Sequence, residues 1–258
     1  MNPQIINRCP ARFAFVLAGL TLSSTHILAA ETSALAEPLM ITKGKQIVTK
    51  HFENESDVDK KSIAFRKQTQ FKIEDGQLHV IPPVIAFAGK LSDNQWATST
   101  MARAGLVELP AEFICQFRWK YNKSKNPKYA TKGSAFIDLG HRCIRTTFTR
   151  DGTTLKLENH LVGKEAAESS KLLFEDPKLK LEPEKWYDIT IEVKGDEVLF
   201  QIDGHFLYGK DDLIAKERAN TFNIDSGGDG YVLDSVEIWE AGDYQPDWKV
   251  QRAKIASK

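Results

Sequence analysis

The chain has 258 residues, 41% hydrophobic and 27% charged, with 35 basic side chains against 35 acidic ones, 16 glycines and 10 prolines. These proportions exclude a disordered, collagenous or disulfide-dense chain. A net charge of zero speaks against a nucleic-acid partner, because phosphate recognition draws on a clustered excess of Lys and Arg.

Residues 1–36 read as a secretory leader and linker. Arg8 and Arg12 precede the apolar run Phe13–Leu22, and small-residue sites follow at Ala30 and at Ala34-Leu35-Ala36, so cleavage after residue 30 or 36 is expected. Ser23, Ser24, Thr25 and His26 interrupt the apolar run after about ten residues, short of the ~20 that a spanning helix needs. The mature protein is therefore expected in the periplasm or outside the cell, with no membrane span. Cys9 leaves with the leader. Cys115 and Cys143 remain, and the sequence leaves open whether they pair; neither their number nor their spacing makes a zinc site.

After the leader, period-two alternation dominates. Asp75-Gly76 turns FKI into QLHVI, and AGLVEL precedes Pro110. In EFICQFRWKYN the residues Phe113, Cys115, Phe117, Trp119 and Tyr121 share one face while Gln116, Arg118 and Lys120 share the other, the pattern of a half-buried strand. SAFIDLG follows, and Asp151-Gly152 joins CIRTTFTR to TTLKLEN. Tyr187–Val193, Val198–Ile202 and Phe206–Tyr208 are separated by Gly195-Asp196 and Asp203-Gly204, which predicts a three-strand antiparallel meander. TFNI and YVLDSVEIWEA complete about ten strands between Gln46 and Ala241. Short helices are expected at Lys164–Leu173 and Asp211–Ala219, and a solvated basic tail over 248–258. So many short strands without alternating helices predict one all-β domain over 37–247, a jelly-roll sandwich of two antiparallel sheets.

The segments EKWYDITIEVKGDEVLFQIDGHFLYG and FNIDSGGDGYVLDSVEIWEA resemble the concanavalin A-like lectin/glucanase superfamily, and within it the 3-keto-disaccharide hydrolase domain of exported bacterial proteins. The resemblance spans Phe71–Ala241 and is strongest over Trp186–Ala241. It implies a β-sandwich with a carbohydrate partner, either a glycoside-cleaving hydrolase or lyase or a non-catalytic glycan-binding or scaffold module. The chain lacks the E-x-D-x-x-E strand of family-16 glucanases, and it reads KGSAFIDLGHRCIRTTF where the keto-disaccharide pattern has N-S-G-I-F-x-R.

Candidate chemistry falls in two clusters. Asp138, His141 and Arg142, with Arg145 beside them, lie in IDLGHRCIR; Glu158 and His160 lie in KLENH. These side chains supply a general base, proton carriers and guanidinium donors for a sugar hydroxyl or carboxylate. Trp96, in the polar stretch SDNQWATST, is the expected exposed stacking platform, Trp186 and Trp239 fit a sandwich edge, and Trp119 belongs in the core. His205, beside the Asp203-Gly204 turn, is a candidate substrate contact. Asp225, Asp229 and Asp234 surround Gly227, Gly228 and Gly230, a composition suited to Ca2+. They lack EF-hand spacing, and a glycine-rich hairpin with surface acids accounts for them, so no metal or cofactor is expected.

Overall fold

In the computed structural model the chain divides into Met1–Thr32 and Ser33–Lys258. The residues described, all in the second unit, are 35–58, 63–65, 69–82, 102–106, 109–123, 135–139, 144–149, 151–157, 170–216, 222–226 and 229–256. Fifteen strands are found among them. One sheet holds β1 (Ile41–His51), β3 (Gln70–Glu74), β4 (Gln77–Ile81), β6 (Phe113–Tyr121), β11 (Tyr187–Lys194), β12 (Glu197–Ile202), β13 (His205–Lys210) and β15 (Tyr231–Tyr244). Its order is β13-β12-β11-β6-β15-β4-β3, with β1 also paired to β15. The other holds β2 (Ile63–Phe65), β5 (Ala102–Leu106), β7 (Ala135–Leu139), β8 (Ile144–Phe148), β9 (Thr153–Leu157), β10 (Lys171–Asp176) and β14 (Phe222–Ser226), in the order β10-β9-β8-β7-β14-β5-β2. All these pairings are antiparallel, and the fold is a jelly-roll β-sandwich.

The inward residues of both sheets meet in one core. Trp119 of β6 is fully buried, stacks on Tyr121 at 5.5 Å, and meets Phe148 of the facing sheet at 6.0 Å. Alternation on β6 had assigned that face correctly, because one side of a pleated strand must meet the opposite sheet. Cys115 lies fully buried on the same face as a free thiol, and burial pushes its pKa up; Cys143 lies outside the described residues.

The turns follow their residues. Asp75 and Gly76 have φ of 53° and 71°, and Asp203 and Gly204 have 46° and 78°, the positive pair that matches strand twist in a two-residue hairpin. Gly230 has φ of 89°, and a Cβ there would stand 2.0 Å from the Val80 carbonyl oxygen, so only glycine lets β15 enter beside β4.

Several expectations are corrected. The strand run starts at Ile41, before Gln46; the charged ITKGKQIVTKH conceals β1 because it has few inward side chains. The helix expected over Lys164–Leu173 is not formed at its end: Lys171–Leu173 begins β10, where Leu173 and Phe174 pack on the core and the chain pairs with β9. Asp212–Lys216 does form a short helix, α1. The tail is not simply solvated: Trp248–Ala256 is helix α2, with Trp248 and Ile255 buried against Met40, Ile41, Ile114, Leu199 and Trp239 on the outer face of the eight-stranded sheet. Burial of those two side chains outweighs the charge of the segment.

The chain before β1 crosses that same face. Gln116 Nε2 donates to the Ala36 carbonyl at 2.5 Å and Thr190 Oγ1 donates to it at 3.2 Å. Glu192 accepts the backbone N–H groups of Leu39, Met40 and Ile41 at 2.8–2.9 Å, and its carboxylate also accepts from Gln201 Nε2. Burial raises the Glu192 pKa, against the opposing pull of those donors.

Candidate functional site

The outer face of the seven-stranded sheet presents a row of polar side chains. Register places Gly105 of β5, Asn223 of β14, Asp138 of β7, Arg145 of β8 and Lys156 of β9 side by side, with Ala64 of β2 beyond Gly105 and Leu172 of β10 beyond Lys156. The row exists because Phe222, Ile224, Ile137, Leu139, Ile144, Leu155 and Leu157 take the inward positions, which turns their neighbours outward.

Asp138 and Arg145, expected together from the sequence, are in contact. Arg145 Nε donates to Asp138 Oδ1 at 2.7 Å and a terminal guanidinium nitrogen donates to Oδ2 at 3.2 Å, a two-point clasp that fixes the carboxylate plane. The Asp138 side chain is only 1% exposed and that of Arg145 is 19% exposed. Asp225 shares this face. It stands opposite Phe136 and Arg103 while Asn223 stands opposite Asp138, so Asp138 and Asp225 are diagonal neighbours on adjacent strands. Such neighbours stand about 7–8 Å apart. Asp225 is also 1% exposed.

The sequence had offered Asp225 only as a surface acid near Ca2+. The structure puts it in the middle of a strand, whereas Asp229 lies before β15, where its carbonyl accepts from Asn122 Nδ2. No group of three or more metal-binding side chains comes together among the described residues. Asn223 and Asp225 were not legible as partners of Asp138 because β14 and β7 are far apart in the chain. The alternation in FNIDS carried the only local signal, setting Asn223 and Asp225 on one face.

His205 is not part of this row. It begins β13 in the other sheet, and its Nδ1 lies 2.9 Å from Asp176 Oδ2 at the end of β10, three strands from β7. Burial disfavours the Asp176 carboxylate, but hydrogen bonds from His205 and the backbone of Lys178 and Leu179 outweigh it and lower its pKa. Trp96, His141, Arg142, Glu158 and His160 lie outside the described residues. The described residues that adjoin the last four in the chain, Leu139, Ile144 and Leu157, are neighbours in register, with Ile144 opposite both Leu139 and Leu157.

The aromatic expectations divide. Trp239 is 7% exposed and sits within the cluster under α2, with Lys43 Nζ 4.1 Å from its ring centre, so it offers no open platform. Trp186 is half-buried with Lys120 Nζ 4.8 Å from its centre. A separate open groove of about 420 Å³ runs along α2, lined by Glu197, Lys210, Tyr244, Trp248 and Arg252 among others. Its buried Glu197 accepts from Tyr208, from Trp248 Nε1 at 3.4 Å and from Arg252 at 2.8 Å. Burial opposes ionisation there, but these donors prevail and lower the Glu197 pKa. All three donors attach α2 and β13 to β12, which is a structural role.

No protein-family model matches the chain, and no curated protein sequence matches it. Solved structures share its fold. SCLam, a non-specific endo-β-1,3(4)-glucanase from family GH16, aligns with a TM-score of 0.55 at 11% identity, over 79% of this chain and 94% of that one. An endo-1,3-β-glucanase from Streptomyces sioyaensis aligns with a TM-score of 0.54 at 12% identity, over 82% and 100%. The CBM2 module of the evolved Dit of Lactobacillus casei BL23 phage J-1 aligns with a TM-score of 0.50 at 12% identity, over 81% and 100%. At this identity the likenesses are of fold, a jelly-roll β-sandwich.

Proposed function

We propose that this protein is carbohydrate-directed and cleaves a glycosidic bond on the outer face of the seven-stranded sheet, as a hydrolase or lyase of the 3-keto-disaccharide type. The observation that carries the reading is the pair of recessed carboxylates, Asp138 and Asp225, on neighbouring strands beside a guanidinium. Glycoside hydrolysis uses two carboxyl groups about 5–5.5 Å apart for retention or about 6.5–9.5 Å apart for inversion, a range that diagonal strand neighbours can span. The proton goes to the leaving oxygen from one carboxyl group, while the other activates water or bonds to the anomeric carbon. Asp138, clasped by Arg145, is oriented to accept a proton; Asp225 is the partner acid. The glucanases named above, which share the fold, support the substrate class by analogy. His141, Arg142, Glu158 and His160 belong to the proposal through their place in the chain, next to the ends of β7, β8 and β9. Export to the periplasm or beyond belongs to it through the leader-like Phe13–Leu22 run.

The test is turnover of an oligosaccharide panel that includes 3-keto-disaccharides. Asp138→Asn and Asp225→Asn are each expected to lower kcat/KM at least about 100-fold. Full activity in both variants would overturn the assignment.

A second reading, glycan binding without cleavage, is favoured by one observation: both oxygens of Asp138 are engaged by Arg145, which commits that carboxylate to the ion pair and not to a proton transfer. Saturable binding of the same panel in calorimetry, with no product formed, would select it.

A further inference from the structure

The sequence leaves two places for the leader to be cut, after Ala30 and after Ala36. The second fits a small-residue site better, with alanine at both 34 and 36, whereas Leu28 stands two places before Ala30. The fold weighs the other way. The compact unit begins at Ser33, so a cut after Ala30 falls outside it and a cut after Ala36 falls within it. Ala36 is also held by the eight-stranded sheet. Its carbonyl accepts from Gln116 Nε2 at 2.5 Å and from Thr190 Oγ1 at 3.2 Å, and Gln116 Nε2 also donates to Thr190 Oγ1 at 2.9 Å, which closes a ring of three hydrogen bonds. Gln116 and Thr190 are each only 1% exposed. The carbonyls that follow are used in turn: Glu37 accepts from Gln201 Nε2, Pro38 from Gln245 Nε2 and Met40 from the Gln245 backbone N–H.

Resting on the export reading above, we infer that processing cuts after Ala30 and that residues 31–36 stay on the mature chain. Water adds across the amide between Ala30 and Glu31; the leader departs with the Ala30 carboxylate, and the mature chain gains an ammonium at Glu31. The same hydrolysis after Ala36 would carry away the carbonyl that closes the ring. Gln116 Nε2 and Thr190 Oγ1 would lose that acceptor where little water reaches them, and the new ammonium would sit on the adjoining Glu37. A buried donor stripped of its partner costs more than a surface hydrogen bond contributes, and a charge brought beside it adds to the cost. A cut after Ala30 leaves the ring intact and places the new charge outside the compact unit.

The experiment is expression of the whole chain in an exporting bacterial host, followed by intact mass and N-terminal sequencing of the exported protein. The expected N-terminus is Glu31. Ala36→Phe, at an exposed position, should be cut at the same place, whereas Ala30→Phe should not be cut there. A matched pair of purified chains, one starting at Glu31 and one at Glu37, supplies a second readout: the shorter chain should unfold at a urea concentration lower by about 1 M, or fail to fold. Any other N-terminus, Glu37 above all, or loss of processing in Ala36→Phe, or equal urea midpoints for the two chains would overturn the inference and leave export intact. A chain that keeps Phe13–Leu22 attached would overturn the export reading as well.

Discussion

The two outer faces of the sandwich carry polar side chains for opposite purposes. On the eight-stranded sheet, Gln116, Thr190, Glu192 and Gln201 point outward, yet each hydrogen-bonds chain running over it, and the apolar cluster of α2 closes the adjoining region. On the seven-stranded sheet, Arg145 holds Asp138 by two hydrogen bonds, and Lys156 has no ion-pair partner among the described residues. A polar residue pointing away from a core is therefore no sign of function by itself. On the eight-stranded sheet the partners of Glu192 are backbone N–H groups, whereas Asp138 is held by a side chain, Arg145.

The comparison breaks most readily at Glu192. Replacing it by alanine strands three backbone N–H groups and the Gln201 amide, and a loss of about 3–5 kcal/mol is expected in urea denaturation. A change below about 1 kcal/mol would mean that the overlying segment contributes little. Trp248→Ala is expected to cost about 3 kcal/mol by emptying the site under α2, read by the same denaturation and by faster proteolysis of the C-terminus.

A pH series sharpens the contrast between buried acids. The pKa of Glu192 is raised from 4.5, so its stabilising contribution is complete below 4.5 and lost as pH rises through its folded value. The pKa of Glu197 is lowered from 4.5, so its contribution is present above 4.5 and lost as pH falls through its folded value. Unfolding free energies measured across this range should lose the first slope in Glu192→Gln and the second in Glu197→Gln. On the opposite face, Asp138→Asn should cost only about 1–2 kcal/mol of stability, because the amide still fills the site, while lowering kcat/KM for the saccharide at least about 100-fold. Lys156→Gln should stay within about 0.5 kcal/mol of the wild type in denaturation.

Much of the fold was legible because it is local. The turns at Asp75-Gly76 and Asp203-Gly204 and the alternation of β6 are properties of a few consecutive residues, and the register agrees with them. Asp138 and Arg145 could be joined from sequence because one short connection separates their strands. Asp225 could not, since its neighbourhood depends on β14 inserting between β7 and β5. The helix α2 escaped notice because only Trp248 and Ile255, seven residues apart, are buried on it, too sparse a stripe to read as amphipathic. Nor could β1 be recognised from its own residues, as its pairing with β15 supplies the order that its side chains do not.

That last pairing governs when the protein can become itself. Strand β15 hydrogen-bonds to β1, β4 and β6, and its partners include Gln46 opposite Trp239 and Phe117 opposite Val236. During synthesis β1, which ends at His51, therefore waits for its neighbour until the chain has been made as far as β15, which begins at Tyr231. Such distant contacts place folding among the slow, high-contact-order cases, from milliseconds to seconds. Until the final strand arrives, β1, β4 and β6 keep unsatisfied edges, so the nascent chain depends on being kept apart from others like it.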